Sequence, residues 1–317
     1  MYDSNSKGIS YTGGFFILIA FAVAGIFIGT IISIPIWTSM TGKGILEMKD
    51  QMGNPAYSNA FKMIQTVSTF FGFFIPAIIT AALLNRKPYK LLGFTKRFNF
   101  RQVLLVIAIM FTALFVSGVL GYLNEHVPVS NSLKLIFDKW ESEYNKQVEA
   151  IMQLKNINDY LLGLVIMAFL PALCEETLFR GGLQNFLTRS TRSSWLAILI
   201  VSFIFSLVHF SFYGFLPRMF LGVMLGLVFQ YTGSIWLCIL GHFFNNALAV
   251  TQLYYYTSHG KSVQQAADQT TPLAWGMVAI PILIVLIVGL KKISPQEQEE
   301  NLSIETVRDK APWEINN

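Results

Sequence analysis

Apolar residues in this chain fall in long unbroken blocks, not in the one-faced or alternating patterns of a soluble domain. Uncharged runs cover residues 14–42, 63–85, 102–124, 193–217, 219–260 and 271–290. Each is long enough to cross a hydrocarbon core, which takes about 20 residues of helix. The run from Met219 to Gly260 can cross twice, with Tyr231–Ser234 (YTGS) as the turn. A further stretch, Leu161–Cys174, is shorter than a crossing, so a helix built on it must carry the charged residues that follow into or near the membrane. The pattern predicts an all-α, multi-pass transmembrane helical bundle of about eight helices, at roughly residues 14–37, 63–84, 102–124, 160–180, 194–212, 214–231, 233–255 and 272–290. The first block runs unbroken to Trp37, past the apolar length of about 7–15 residues in a signal peptide, and reads as a retained helix.

Composition agrees with this class: 53% of the 317 residues are hydrophobic and 13% are charged, and mean hydropathy is +0.51. The net charge of +5 is accounted for by basic loops of a membrane protein, and there is no nucleic-acid motif. Basic residues gather in three places: residues 86–101, Arg189 with Arg192, and Lys291 with Lys292. By the positive-inside rule these loops are cytoplasmic, which puts both termini there and suits an even helix count in a cell membrane, read as a bacterial plasma membrane. The two cysteines, Cys174 and Cys238, lie in apolar segments and suggest neither a disulfide framework nor a cysteine zinc site.

The chain divides into N-terminal transmembrane helices over 1–125, a polar excursion of short amphipathic helices over 126–158 on the extracytoplasmic side, a core over 159–255, a last transmembrane helix within 256–292, and a polar cytoplasmic tail over 293–317. The tail's composition predicts loose attachment or disorder.

Candidate chemistry is concentrated in Leu173–Gly182, LCEETLFRGG. A charge at the centre of a transmembrane helix costs about 2.5–3.5 kcal/mol on insertion scales, so two glutamates and an arginine there need partners or a wet cavity. Glu176 and Arg180 have the i, i+4 spacing of an ion pair. Glu175 falls about 100° away on the helical wheel and is left free to face something else. The plainer alternative is a Glu175 solvated at the water boundary. Phe205 and His209 (FSLVH), then His242 and Asn246 (HFFNN), share one helical face each by i, i+4 spacing. A single histidine in an apolar helix is usually a packing residue. Two histidines, an asparagine and two glutamates on three apolar helices point instead to one shared cavity, because each polar group is expensive to bury alone.

These residues resemble the signature of the CPBP family, the CAAX protease and bacteriocin-processing or Abi proteins: EExxxR, FxxxH and HxxxN on successive helices. The three motifs are met by Glu175, Glu176 and Arg180, by Phe205 and His209, and by His242 and Asn246. The resemblance covers roughly residues 155–255. It implies an intramembrane endopeptidase that hydrolyses membrane-associated proteins or peptides with a glutamate-activated water. Glu175 would be the general base, His209 would help orient or deprotonate the water, and His242 and Asn246 would donate to the oxyanion. Glu176 and Arg180, with Phe205, would be supporting residues. The resemblance implies no cofactor, although Glu175, His209 and His242 are the set that a catalytic zinc would take. There is no HExxH, GxGD or GxSxG motif.

Two other functions compete: a non-enzymatic immunity or regulatory protein of the same fold, and a proton-coupled transporter. Neither paired broken helices nor an inverted repeat supports transport. Straight helices leave one conflict, because Glu175 would sit towards the cytoplasmic end of its helix and His209 towards the opposite end. Pro171 predicts a kink, and Gly181 with Gly182 predicts an early end to the helix carrying the glutamates.

Overall fold

A computed structural model of the chain describes residues 5–94, 98–154, 156–260 and 272–294. Nine helices of 14 residues or more organise these residues. They are α1 (Tyr11–Thr41), α2 (Pro55–Leu84), α3 (Phe100–Glu125), α4 (Asn131–Ile151), α5 (Ile157–Thr191), α6 (Ser194–Leu207), α7 (Phe215–Thr232), α8 (Ile235–Ser258) and α9 (Leu273–Lys292). No strand is present among the described residues beyond an isolated bridge between Ser6 and Asn85. Six of the helices, α1, α2, α3, α5, α7 and α9, are long and apolar enough to cross a membrane by length and composition. The protein is a multi-pass helical membrane bundle. Both cysteines are buried and free. The last helix is where the pattern predicted it, and from residue 295 the polar tail lies outside the described residues.

Small residues set how closely the helices approach. The buried side of α1 is Gly14, Leu18, Gly25, Gly29, Ser33 and Trp37, a stripe repeating mostly every four residues. A methyl on Gly25 would lie 2.0 Å from the Phe71 carbonyl oxygen of α2. Such backbone contact is how membrane helices gain packing energy when lipid is as apolar as their side chains. The outward faces carry large apolar residues such as Phe16, Phe27 and Ile31.

Three expectations are corrected. The polar excursion is one helix of 21 residues, α4, and not several short ones. The helix α6 stops at Leu207 after 14 residues, about 21 Å of rise against a core of about 30 Å, so it is shorter than predicted. The helix α5 does not end at Gly181 and Gly182 but runs for 35 residues. Its backbone widens to π geometry at Leu164–Phe169 and again at Thr177–Gln184. The first widening precedes Pro171, whose missing N–H and ring displace the regular ladder; α2 does the same at Phe70–Phe74 before Pro76. The glycine pair serves close approach: a methyl on Gly181 would lie 2.7 Å from the Leu92 carbonyl oxygen, and one on Gly182 would lie 2.4 Å from Leu18 Cδ2. A longer α5 and a shorter α6 remove the depth conflict, since Glu175 is then near the middle of its helix.

The two ends of the bundle differ. One end joins the N-terminal segment to the loop after α2 (Lys7 N to Leu84 O, 2.9 Å), the start of α8 to the same loop (Ile235 N to Gly93 O, 2.9 Å), and the starts of α3 and the chain after α9 (Gln102 Nε2 to Ser294 Oγ, 2.8 Å). Thr12 and Ser190 hydroxyls, 2.5 Å apart, bring the end of α5 to it. At the other end α4 is clasped to the turn between α6 and α7. Phe137 stacks on Phe212 at 3.9 Å between centroids. Ser211 Oγ donates to Glu141 at 2.8 Å, and Tyr213 Oη donates to Asp138 at 2.6 Å.

Candidate active site

The second glutamate of the doublet is the hub. Glu176 is fully buried, and its Oε1 accepts from Arg180 Nη1 at 2.7 Å within α5 and from His242 Nδ1 of α8 at 2.8 Å. Arg180 also donates from Nη2 to the Gly222 carbonyl of α7 at 3.2 Å and lies 4.7 Å from the centre of the Phe205 ring. One helical turn on, Gln184 Nε2 donates to the Gly226 carbonyl at 2.9 Å. Gly222 and Gly226 leave those α7 carbonyls reachable, because any side chain there would meet Ser202, Gln184 and Ile198 at about van der Waals contact or closer. The i, i+4 ion pair predicted from spacing is therefore present and spans three helices.

Because a carboxylate can only accept, the Nδ1 of His242 carries the proton in this contact and the other ring nitrogen is turned away from it. That Nε2 lies 4.0 Å from Glu175 Oε2. Glu175 is less deeply buried than Glu176, and its Oε2 has no hydrogen-bond partner among the described residues. His209 follows the end of α6, and its Nδ1 donates to the Phe205 carbonyl at 2.7 Å, which again leaves Nε2 free. The Phe205 ring lies 5.0 Å from that of His209 and 5.9 Å from that of His242 and contacts both edge-on. Phe210, next to His209, has φ +48°, a left-handed conformation costly for a bulky side chain and typical of residues held at functional sites.

Glu175 and His209 line one cavity of about 420 Å³, walled by Phe73, Phe179, Trp140 and Glu143 among others. Trp140 and Glu143 belong to α4, so the polar excursion forms part of the wall. A more open hollow of about 380 Å³, against Asp138, Glu141 and Tyr213, includes none of the predicted site residues. Asn246 lies one turn beyond His242 on α8, is half-buried and makes no hydrogen bond among the described residues. Among those residues no group of three or more His, Cys, Asp or Glu side chains is gathered as metal ligands would be. His242 Nδ1 is committed to Glu176, so Nε2 is the nitrogen that this ring turns to any ligand.

Residues 157–248 match the model of a family described as type II CAAX prenyl endopeptidase Rce1-like. Over those residues the core of this chain is similar to that family, and the match identifies the core as resembling a CAAX-type intramembrane protease, a peptide hydrolase; the matched segment contains every predicted site residue from Glu175 to Asn246. No curated protein and no solved structure matches the chain.

Three contributors were not identified from sequence: Gln184, which braces α5 on α7; the α4 wall; and Arg218. The guanidinium of Arg218 lies 4.7 Å from the centre of the Tyr144 ring of α4, and its Nη1 is buried without a hydrogen bond. The available signal was its isolation, a lone charge between two long uncharged runs.

Proposed function

We propose that this protease hydrolyses peptide bonds of membrane-associated proteins or peptides with a water activated by Glu175. The observation that carries the reading is the division of labour within the glutamate doublet. Glu176 accepts from Arg180 and His242 through Oε1 and is closed to solvent, whereas Glu175 makes neither bond and lines the cavity that His209 also lines; the Oε2 atoms of both are buried without a hydrogen-bond partner among the described residues. Glu175 takes a proton from water as the hydroxide attacks the scissile carbonyl, then passes that proton to the leaving amine. His209, with Nε2 free, holds the water. The resemblance assigns the donors to the oxygen that becomes negative to His242, whose Nδ1 is held by Glu176, and to the amide of Asn246. Glu176 and Arg180 are positioning residues for both α5 and His242.

The basic end of the bundle faces the cytoplasm on this reading, with both termini on that side of a cell membrane. The test is cleavage of a mixture of internally quenched peptides by purified protein in detergent, comparing wild type with Glu175→Gln. Loss of cleavage in a variant that melts like wild type is expected; unchanged turnover would remove Glu175 from the mechanism.

A further inference from the structure

The cavity and the charge of the molecule point in opposite directions. The end that joins the N-terminal segment, the loop after α2, the end of α5 and the end of α9 carries Lys7, Arg86, Lys87, Lys90, Arg189 and Arg192, with Arg101, Lys291 and Lys292 beside them. It has no Asp or Glu among the described residues. The opposite end mixes signs, as in the pairs Lys43–Glu47 and Lys49–Glu143. Loops that carry the excess of Lys and Arg stay in the cytoplasm, acids counting for little in this bias.

The route to Glu175 lies at the mixed end. Its walls include Trp140, Glu143, Tyr144 and Gln147 of α4 and Val208–Phe210 of the turn that follows the 14-residue α6. Towards the basic end the site is shut. The layer Glu176, Arg180 and His242 lies there, then Gln184 on Gly226, then fully buried Phe186 and Leu92, with Asn185 Nδ2 donating to the Leu91 carbonyl at 2.6 Å. The cavity wall is rich in aromatic rings, carries the carboxylates Glu143 and Glu175, and includes no Lys or Arg. Lys49 beside Glu143 holds that carboxyl below its ordinary range, so it is ionised at neutral pH.

We infer that the protease takes its substrate from the extracytoplasmic side, past α4, and that the substrate is an extended polypeptide segment of apolar or aromatic residues. This rests on Glu175 being the catalytic carboxylate. A segment approaching from the cytoplasm would meet the sealed layer, whereas one arriving past α4 meets the aromatic wall of the cavity.

The side of access is tested in intact cells with a membrane-impermeant maleimide on two full-length variants, Gln147→Cys at the cavity mouth and Lys90→Cys at the basic end. Both positions are exposed, and the parent chain is the blank because its two cysteines are buried. Labelling of Gln147→Cys in intact cells, and of Lys90→Cys only after permeabilisation, is expected; the reverse pattern overturns the inference. In parallel, internally quenched peptides are supplied outside spheroplasts carrying wild type or Glu175→Gln. Cleavage dependent on Glu175 before lysis is expected, and cleavage only after lysis overturns the side of access while leaving the catalytic reading intact. Absence of Glu175-dependent cleavage in both conditions would refute that reading instead, with labelling still deciding the side.

Discussion

His242 is tied to Glu176 by a 2.8 Å hydrogen bond between helices, joining residues 66 apart in the chain. The same carboxylate oxygen takes the Arg180 guanidinium, so one buried anion holds two partners. Removing Glu176 leaves Arg180 uncompensated and His242 unheld. Breaking a buried pair from one side costs about 3–5 kcal/mol.

Glu176→Ala and Arg180→Ala are therefore each expected to lower the melting temperature in detergent and the yield of folded protein. The double substitution should recover part of the loss, because no orphan charge remains. The measurement is a double-mutant cycle on Tm, and strictly additive losses would count against the pair. Glu175→Gln should leave Tm unchanged. A Glu176→Ala variant that is stable but inactive would reverse the roles within the doublet.

For turnover the order is different. His209→Ala should be as inactive as Glu175→Gln, since the water loses its second holder. His242→Ala and Asn246→Ala should each lower kcat by about 100- to 1000-fold, the usual loss for one oxyanion donor. Initial rates on a quenched peptide decide this, and losses below about tenfold at both positions would make them packing residues.

Gly181→Ala should destabilise the bundle by about 1–3 kcal/mol, the range for overpacking. Its new methyl would meet the Leu92 carbonyl oxygen at 2.7 Å, and backbone there cannot move aside cheaply. Gly289→Ala is the control. The nearest atom to its methyl is 3.9 Å away, on Leu105, so the helix propensity of alanine should leave α9 unchanged or slightly more stable. Thermal unfolding of the two variants side by side reads the difference.

The clasp on α4 should control the cavity wall. Ser211→Ala with Tyr213→Phe removes two side-chain bonds to α4. The Ser211 bond is worth about 1 kcal/mol, and the exposed Tyr213 bond contributes less. Faster hydrogen exchange in α4, with α3 and α7 unchanged, is the expected result. The Tyr213 phenol is pushed up to about 12 by its hydrogen bond to Asp138. Because the folded value is raised, that contribution is present below the ordinary phenol range near about 10 and is lost as pH rises through the folded value. The clasp is thus intact across the neutral range, and exchange in wild-type α4 should not change between pH 6 and 8 on its account, roughly the range in which enzymes are assayed.

Local pattern determined the class of this protein. Uninterrupted apolar blocks cannot fold as anything but membrane helices, because only helical hydrogen bonding satisfies the backbone in lipid. The pairing of Glu176 with Arg180 was legible for a similar reason, since i, i+4 neighbours meet on any helix whatever surrounds it. The motif residues were legible only as a set, because two histidines, an asparagine and two glutamates on three apolar helices are together too costly to be incidental.

Tertiary structure decided everything that depends on contact between distant segments. Spacing along α5 left Glu176 as a partner of Arg180 alone, and only the packing of α8 against α5 makes it the holder of His242 as well. Gly181 and Gly182 read as a helix end because glycine is a poor helix former, but the neighbouring Leu92 and Leu18 press so close that only glycine fits a continuing helix. Helix lengths escaped the pattern too: apolar residues run on past Leu207 through the turn that holds His209, and hydropathy does not mark where a backbone stops being helical. The polar stretch over 126–158 had no apolar block to interpret, and its place as a wall of the cavity is fixed by the rings and carboxylates that clasp α4 to residues 210–213.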